Sequence, residues 1–255
     1  MDQINFIFEL IIATAFGAIF GSYATLFAYR LPRGESCFGR YFGPKSRCGH
    51  CNSTIITRDL IPLLNWLFTF GSCRFCKVKI PRIHFFVELT TTLLFIACYL
   101  RFGFGEKFMI YSLVSVSLVI LLASDFTHRI FPNAILIFLL ILVVINRVLI
   151  EQTTLNIIFS LSFGVLASVA FYQLIGKKFP EIFSTKIQLH DYIKFILIAS
   201  IAMNCKQFIF YFFTVLLILT LLISEHFFTK KNKISFGYGL VIPFIGLYIL
   251  SSLNF

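Results

Sequence analysis

Eight apolar runs set the architecture of this chain. They fall at roughly residues 4–29, 84–101, 108–124, 132–150, 155–176, 192–205, 207–227 and 236–254. Several reach or approach the ~20 residues that a helix needs to cross a ~30 Å hydrocarbon layer. The pattern predicts an all-α, polytopic helical membrane protein with about eight transmembrane helices. The sixth run is the shortest and is parted from the seventh only by a CKQ stretch, so a seven-span reading is the alternative. A single long polar segment, 30–83, interrupts the series. The expected organisation is a first transmembrane helix at 1–29, a cysteine-rich loop at 30–83 and a membrane core at 84–255.

Charge orients the spans. With eight of them, one side collects loops 30–83, 125–131, 177–191 and 228–235, which together with Lys194 hold 18 of the 22 Lys and Arg residues. The other side keeps only Arg101, Lys107, Arg147 and Lys206. Basic residues accumulate on the cytoplasmic side of a bilayer. The expected topology therefore has the N-terminus outside, and the cysteine loop, Asp125 and Asp191 on the cytoplasmic side. The net charge of +11 follows from this bias and from attraction to anionic headgroups. It calls for membrane lipid as a partner and for no nucleic acid.

Composition agrees. The chain is 58% hydrophobic and 13% charged, about half the charge of an ordinary soluble domain. The start, MDQINFIFEL, has no basic segment before its apolar run and no small-residue cleavage site after it, so the first helix is expected to be retained.

The polar loop carries Cys48-Gly-His-Cys51 and Cys73-Arg-Phe-Cys76, with 21 residues between the pairs. Two such knuckles can each offer two thiolates to one tetrahedral zinc ion. A loop of this size has little core of its own, and a metal would supply stability. Four thiolates leave no open position, which points to a structural zinc. Four unrelated thiols are the competing reading. His50, inside the first knuckle, is expected to be a bystander, and Cys37, Cys98 and Cys205 to be ordinary small apolar residues.

Asp125 and Asp191 are two of only four aspartates, and both stand at span boundaries. An acid near lipid is expensive and is a functional candidate by default. The bland alternative is a wet helix end, with Asp125 pairing to Arg129 and Asp191 to Lys194. As a pair, two carboxylates sharing one proton could perform aspartic-protease chemistry. The five histidines are scattered and suggest no triad.

Most of the chain resembles the type IV prepilin peptidases, a family of bifunctional membrane aspartic proteases. Gly21–Ser36 is similar to the family's opening segment, and Cys48–Cys76 to its knuckle region, including Asp59, Ile61, Pro62, Asn65 and Trp66. Pro81–Leu89 resembles the start of its second span. SDFTHRIFPN (Ser124–Asn133) resembles its first catalytic segment, and Phe236–Leu247 its closing segment. The resemblance implies Asp125 and Asp191 as catalytic acids. The family's Gly-x-Gly-Asp motif reads Gln188-Leu189-His190-Asp191 here, followed by Lys194, so both glycines are replaced and the site is expected to be crowded or reshaped.

The implied activity is cleavage of the leader of prepilins or pseudopilins at the cytoplasmic face of a bacterial inner membrane. N-methylation of the new N-terminus with S-adenosylmethionine is implied with it. Glu88 is a candidate for holding a substrate amine or a plain interfacial residue. The lost glycines keep open a catalytically impaired assembly component of a pilus or secretion system. A proton-coupled transporter is a more distant alternative.

Overall fold

Helix tracks hydropathy closely along the chain. The computed structural model describes residues 3–37, 47–55, 61–150, 154–177, 186–229 and 237–250. Asp59, Phe236 and parts of the 30–83 loop lie outside the described residues. Eight long helices and a short one form among those described: α1 (Gln3–Arg30), α2 (Leu64–Phe68), α3 (Arg82–Phe102), α4 (Glu106–His128), α5 (Asn133–Ile145), α6 (Thr154–Phe171), α7 (Lys186–Ala202), α8 (Cys205–Thr229) and α9 (Gly237–Phe244). α5, α6 and α9 continue as π-helical turns to Ile150, Gly176 and Leu250. The eight long helices correspond one to one with the apolar runs. Five are long and apolar enough to cross a bilayer, while α5 and α9 are shorter apolar helices. The protein is a multi-pass membrane protein.

Three boundaries differ from the sequence expectation. α7 begins at Lys186 rather than near 192, so Asp191 lies inside a helix and not in the loop before it. The break after α7 falls at Met203-Asn204, not at CKQ. Gln207 turns back to accept the Asn204 N–H at 3.2 Å, which satisfies a free donor at the start of α8. Asp125 likewise belongs to α4, which runs on to His128.

The chain divides into two compact units, Met1–Phe108 and Met109–Phe255. In the first, α1 lies along α3. Its contact stripe is made of small residues four or three apart: Ala13, Gly17, Gly21, Ala24 and Ala28, all buried. Small side chains allow close helix approach in a bilayer, where water does not drive association. A Cβ at Gly17 would stand 2.8 Å from the Thr92 Cα, and one at Gly21 would stand 2.9 Å from the Glu88 Cα. Backbone is the obstacle in both cases, so neither position can yield by a rotamer change. Tyr99 of α3 donates to Glu9 Oε2 at 2.8 Å and fastens the other end of the pair. After α1, a tight turn at Leu31–Arg33 is closed by Gly34 in the left-handed region, φ 68°.

In the second unit α7 packs against α5, α6 and α9, and α8 against α6 and α9. Gly164 of α6 leaves room for Ser200 of α7. Phe131, Phe195, Phe244 and Tyr248 form a run of ring contacts with neighbouring aromatics at 5.2–5.6 Å. α4 is the most buried of the membrane-length helices.

Gly17→Val should lower the thermal midpoint of the protein in detergent, at a cost of about 1–3 kcal/mol for overpacking. Gly105→Ala, where a new Cβ meets nothing within 4 Å, should leave the midpoint unchanged.

Candidate metal centre and buried acid site

The two cysteine knuckles are geometric copies of each other. In the first, Cys48 N–H donates to Ser53 O and Asn52 N–H to Cys48 O, at 3.0 and 2.9 Å. In the second, Cys73 N–H donates to Val78 O and Lys77 N–H to Cys73 O, at 2.8 and 2.9 Å. The residue after the second cysteine is left-handed in both, Asn52 at φ 55° and Lys77 at φ 59°. A short antiparallel bridge closes each knuckle, Arg47 with Thr54 and Ser72 with Lys79.

This folding brings all four sulfurs within 4.8 Å of one another. Cys48 and Cys76 stand 3.8 Å apart, and Cys51 and Cys73 4.0 Å. A tetrahedral zinc with bonds of about 2.3 Å requires sulfur–sulfur edges of about 3.8 Å, so the cluster could hold such an ion. Cys51 also contacts the Ser53 hydroxyl at 2.8 Å. That contact and the Ser53 N–H push its thiol down to about 6, while desolvation and the neighbouring sulfurs push Cys76 up to about 11, so the cluster gives up its protons unequally and a metal ion would have to displace the rest. His50 is exposed and is absent from the cluster.

The loop is fastened to α3 by two contacts, and a third within the loop supports them. Leu63, at φ 62°, donates its N–H to Glu88 Oε2 at 2.8 Å. The Trp66 ring lies 4.7 Å from that of Phe85. Gly71, at φ 64°, leaves the space that Trp66 fills, since a Cβ there would come within 2.8 Å of the indole. Glu88 is thus a partly buried anchor for loop backbone.

Asp125 and Asp191 are both buried, at 0% and 1% exposure, which sets aside a wet helix end for either. Asp125 Oδ1 accepts the Tyr192 hydroxyl at 2.7 Å, and Oδ2 accepts the Gly237 N–H at 2.9 Å. Tyr192 is held in turn by the Gln188 amide, which donates to its oxygen at 2.6 Å. Asp191, one residue before Tyr192, pairs with Lys194 at 3.0 Å, as the i, i+3 spacing anticipated. Lys194 also donates to Asn133 Oδ1 at 2.7 Å. The C-terminal turn of α4 and the first residues of α5, α7 and α9 therefore meet around the two acids.

Local sequence explains the convergence. α4 stops where Arg129 turns left-handed, φ 60°, with its N–H on Asp125 O at 3.0 Å. Pro132 is then the N-cap of α5, extended at φ −60° and ψ 124°, and its carbonyl accepts the N–H groups of Ile135 and Leu136 at 3.0 and 3.1 Å, the first bonds of the helix. Gly237 opens α9, and a Cβ at that position would overlap the Asp125 carboxylate. Gln188, expected to crowd the site, is instead a buried hydrogen-bonding member of it. His190 is exposed.

Sequence reasoning missed Tyr192, Gly237 and Asn133 as members of the site. The signal for Gly237 was present, a Gly-x-Gly just ahead of an apolar run, but nothing in the sequence joined it to Asp125.

Residues 15–102 match the bacterial Peptidase A24 N-terminal domain, a span within the first structural unit. A prepilin leader peptidase/N-methyltransferase of Bacillus subtilis is 36% identical over 126 residues, covering 49% of each chain. One from Myxococcus xanthus is 38% identical over 117 residues, 46% of this chain and 33% of the relative. A type 4 prepilin-like proteins leader peptide-processing enzyme of Escherichia coli is 31% identical over 137 residues, 48% of this chain and 51% of the relative. The chain thus spans about half the length, or less, of these relatives. No solved structure matches it.

Purified, reduced protein should contain about one zinc ion per chain by elemental analysis, because metal binding and loop folding are coupled. Cys48→Ser or Cys73→Ser should remove the metal and make the 30–83 loop sensitive to protease. Metal-free intact protein would count against the site.

Proposed function

We propose that this chain, whose residues 15–102 match the bacterial Peptidase A24 N-terminal domain, is a membrane aspartic endopeptidase of the prepilin leader peptidase family. Its substrates are the leader peptides of type IV prepilins or pseudopilins, cut at the cytoplasmic face of a bacterial inner membrane. The observation that carries the reading is the bond from Tyr192 to Asp125 at 2.7 Å. It ties the first acid to the residue beside the second, across 67 positions of sequence.

The chemistry uses Asp125 and Asp191 as a pair. One carboxylate takes a proton from water, the water oxygen attacks the scissile carbonyl, and the other acid polarises that carbonyl and passes a proton to the leaving amine. Tyr192 and the Gly237 N–H engage both oxygens of Asp125 and fix its plane, so neither acts on substrate directly. Burial keeps bulk water from the dyad and lets fixed groups act at low dielectric. A prepilin presents its bond just ahead of an apolar helix, at the depth where these helix ends lie in this topology. Zinc at Cys48, Cys51, Cys73 and Cys76 is structural, and a set of four thiolates leaves no site for substrate. The names of the Bacillus subtilis and Myxococcus xanthus relatives also carry N-methyltransferase, and the second activity in this reading is N-methylation of the new N-terminus with S-adenosylmethionine.

One observation favours a competing reading. Lys194 already pairs with Asp191, as would suit an assembly component that does not cleave. Prepilin cleavage in liposomes separates the two. Asp125→Asn and Asp191→Asn should each nearly abolish cleavage. The double mutant should be little worse than either, because residues acting as a unit are non-additive. Tyr192→Phe removes a hydrogen bond to a carboxylate, a loss of about 1.5–3 kcal/mol, and should slow cleavage roughly 10- to 100-fold. Undiminished cleavage by both single Asn variants would remove the dyad.

The orientation has its own check. Gly105→Cys in a Cys205→Ser background should react with an impermeant maleimide added outside intact cells. Reaction only after lysis would reverse the topology.

A further inference from the structure

The end of α2 and the loop that follows it hold large apolar side chains out from the protein. Phe70 is 91% exposed and Phe68 76% exposed, with Phe75 and Val78 exposed further along the same loop. Phe70 is also left-handed, φ 50°, a conformation that costs a bulky residue energy. The flanking hydrogen bonds impose it: Gly71 N–H to Trp66 O at 2.9 Å, Ser72 N–H to Thr69 O at 3.1 Å and Ile80 N–H to Gly71 O at 2.7 Å. The fold therefore displays this ring rather than failing to bury it.

The surrounding charge has one sign. Residues 61–83 contain Arg74, Lys77, Lys79 and Arg82 and no Asp or Glu, and all four basic side chains are exposed. The depth of the segment is set by α3. Its 21 residues extend about 31 Å at 1.5 Å each, the thickness of the hydrocarbon layer, so Arg82 stands at headgroup level. Glu88, which anchors Leu63, lies only about 9 Å further along the axis. Trp66 rests on Phe85 between them, and Phe68 and Phe70 follow within four residues. Aromatic rings joined to Lys and Arg at that level match the interfacial layer of an anionic bilayer.

We propose that the 68–82 segment is a membrane-interface anchor. Phe68 and Phe70 enter the headgroup–acyl boundary, and Lys77, Lys79 and Arg82 contact anionic phospholipid headgroups. The metal-bearing loop is thereby held flat on the membrane beside the end of α3. The proposal is independent of the peptidase reading and needs only that α3 spans the bilayer.

Hydroxyl-radical footprinting of the unaltered full chain tests it in nanodiscs of phosphatidylcholine alone or mixed with phosphatidylglycerol. Oxidation of Phe68 and Phe70 should fall several-fold in the anionic discs. Lys77→Glu with Lys79→Glu should return it to the neutral-disc level, and both positions are exposed enough to accept the change without refolding. Equal oxidation of Phe70 in the two lipids would overturn the proposal, as would protection that survives the charge reversal. Protection by added poly-glutamate but not by anionic lipid would also overturn it, assigning the surface to an acidic protein.

Discussion

A carboxylate inside an apolar helix bundle has to be met by donors, because no water is at hand to solvate it. Asp125 meets that constraint with the Gly237 N–H and the Tyr192 hydroxyl. The first of these is available because Gly237 opens α9, where the backbone donors of a helix have no internal partner. The second requires α7 to present Tyr192 toward α4, and Gln188, one turn earlier, holds that ring in place. The position of three helix ends thus follows from the needs of one side chain. Any substitution that adds a Cβ at Gly237 or removes the Tyr192 hydroxyl acts on the same carboxylate.

The first unit meets a different constraint by a different means. α1 and α3 approach closely because the α1 side of their contact is built from Ala and Gly, and the described residues of the loop between them contribute no buried apolar side chain. Its order comes from two knuckles that are locally hydrogen-bonded, from a four-sulfur cluster, and from the contacts of Leu63 and Trp66 with α3, with Gly71 packed on the indole. Glu88 serves both halves of this arrangement. Its backbone lies against Gly21, and its carboxylate takes the Leu63 N–H.

The parts of this molecule that were legible in sequence are those written in local spacing. Apolar runs of membrane length gave the helices, and paired Cys-x-x-Cys gave the sulfur cluster. Asp125 and Asp191 stood out because acids are rare in such a chain. What could not be read was the partner of each polar group. Gly237 and Asp125 are 112 positions apart, and no periodicity connects them. Tyr192 is one of ten tyrosines in the chain and nothing in its spacing singles it out, and Gln188 read as a crowded substitute for glycine. Helix ends were read from the loss of hydropathy, which misplaced both acids into loops, because a helix continues past its apolar stretch when its polar residues find partners inside.

The chain contains a single tryptophan, and the fold has set it at one joint. Trp66 lies on Phe85 under the backbone of Gly71, where loop and helix meet. The intrinsic indole emission of the whole protein is therefore the signal of that seam. It reports whether the cysteine-rich loop is seated on α3, and no second indole elsewhere competes with it.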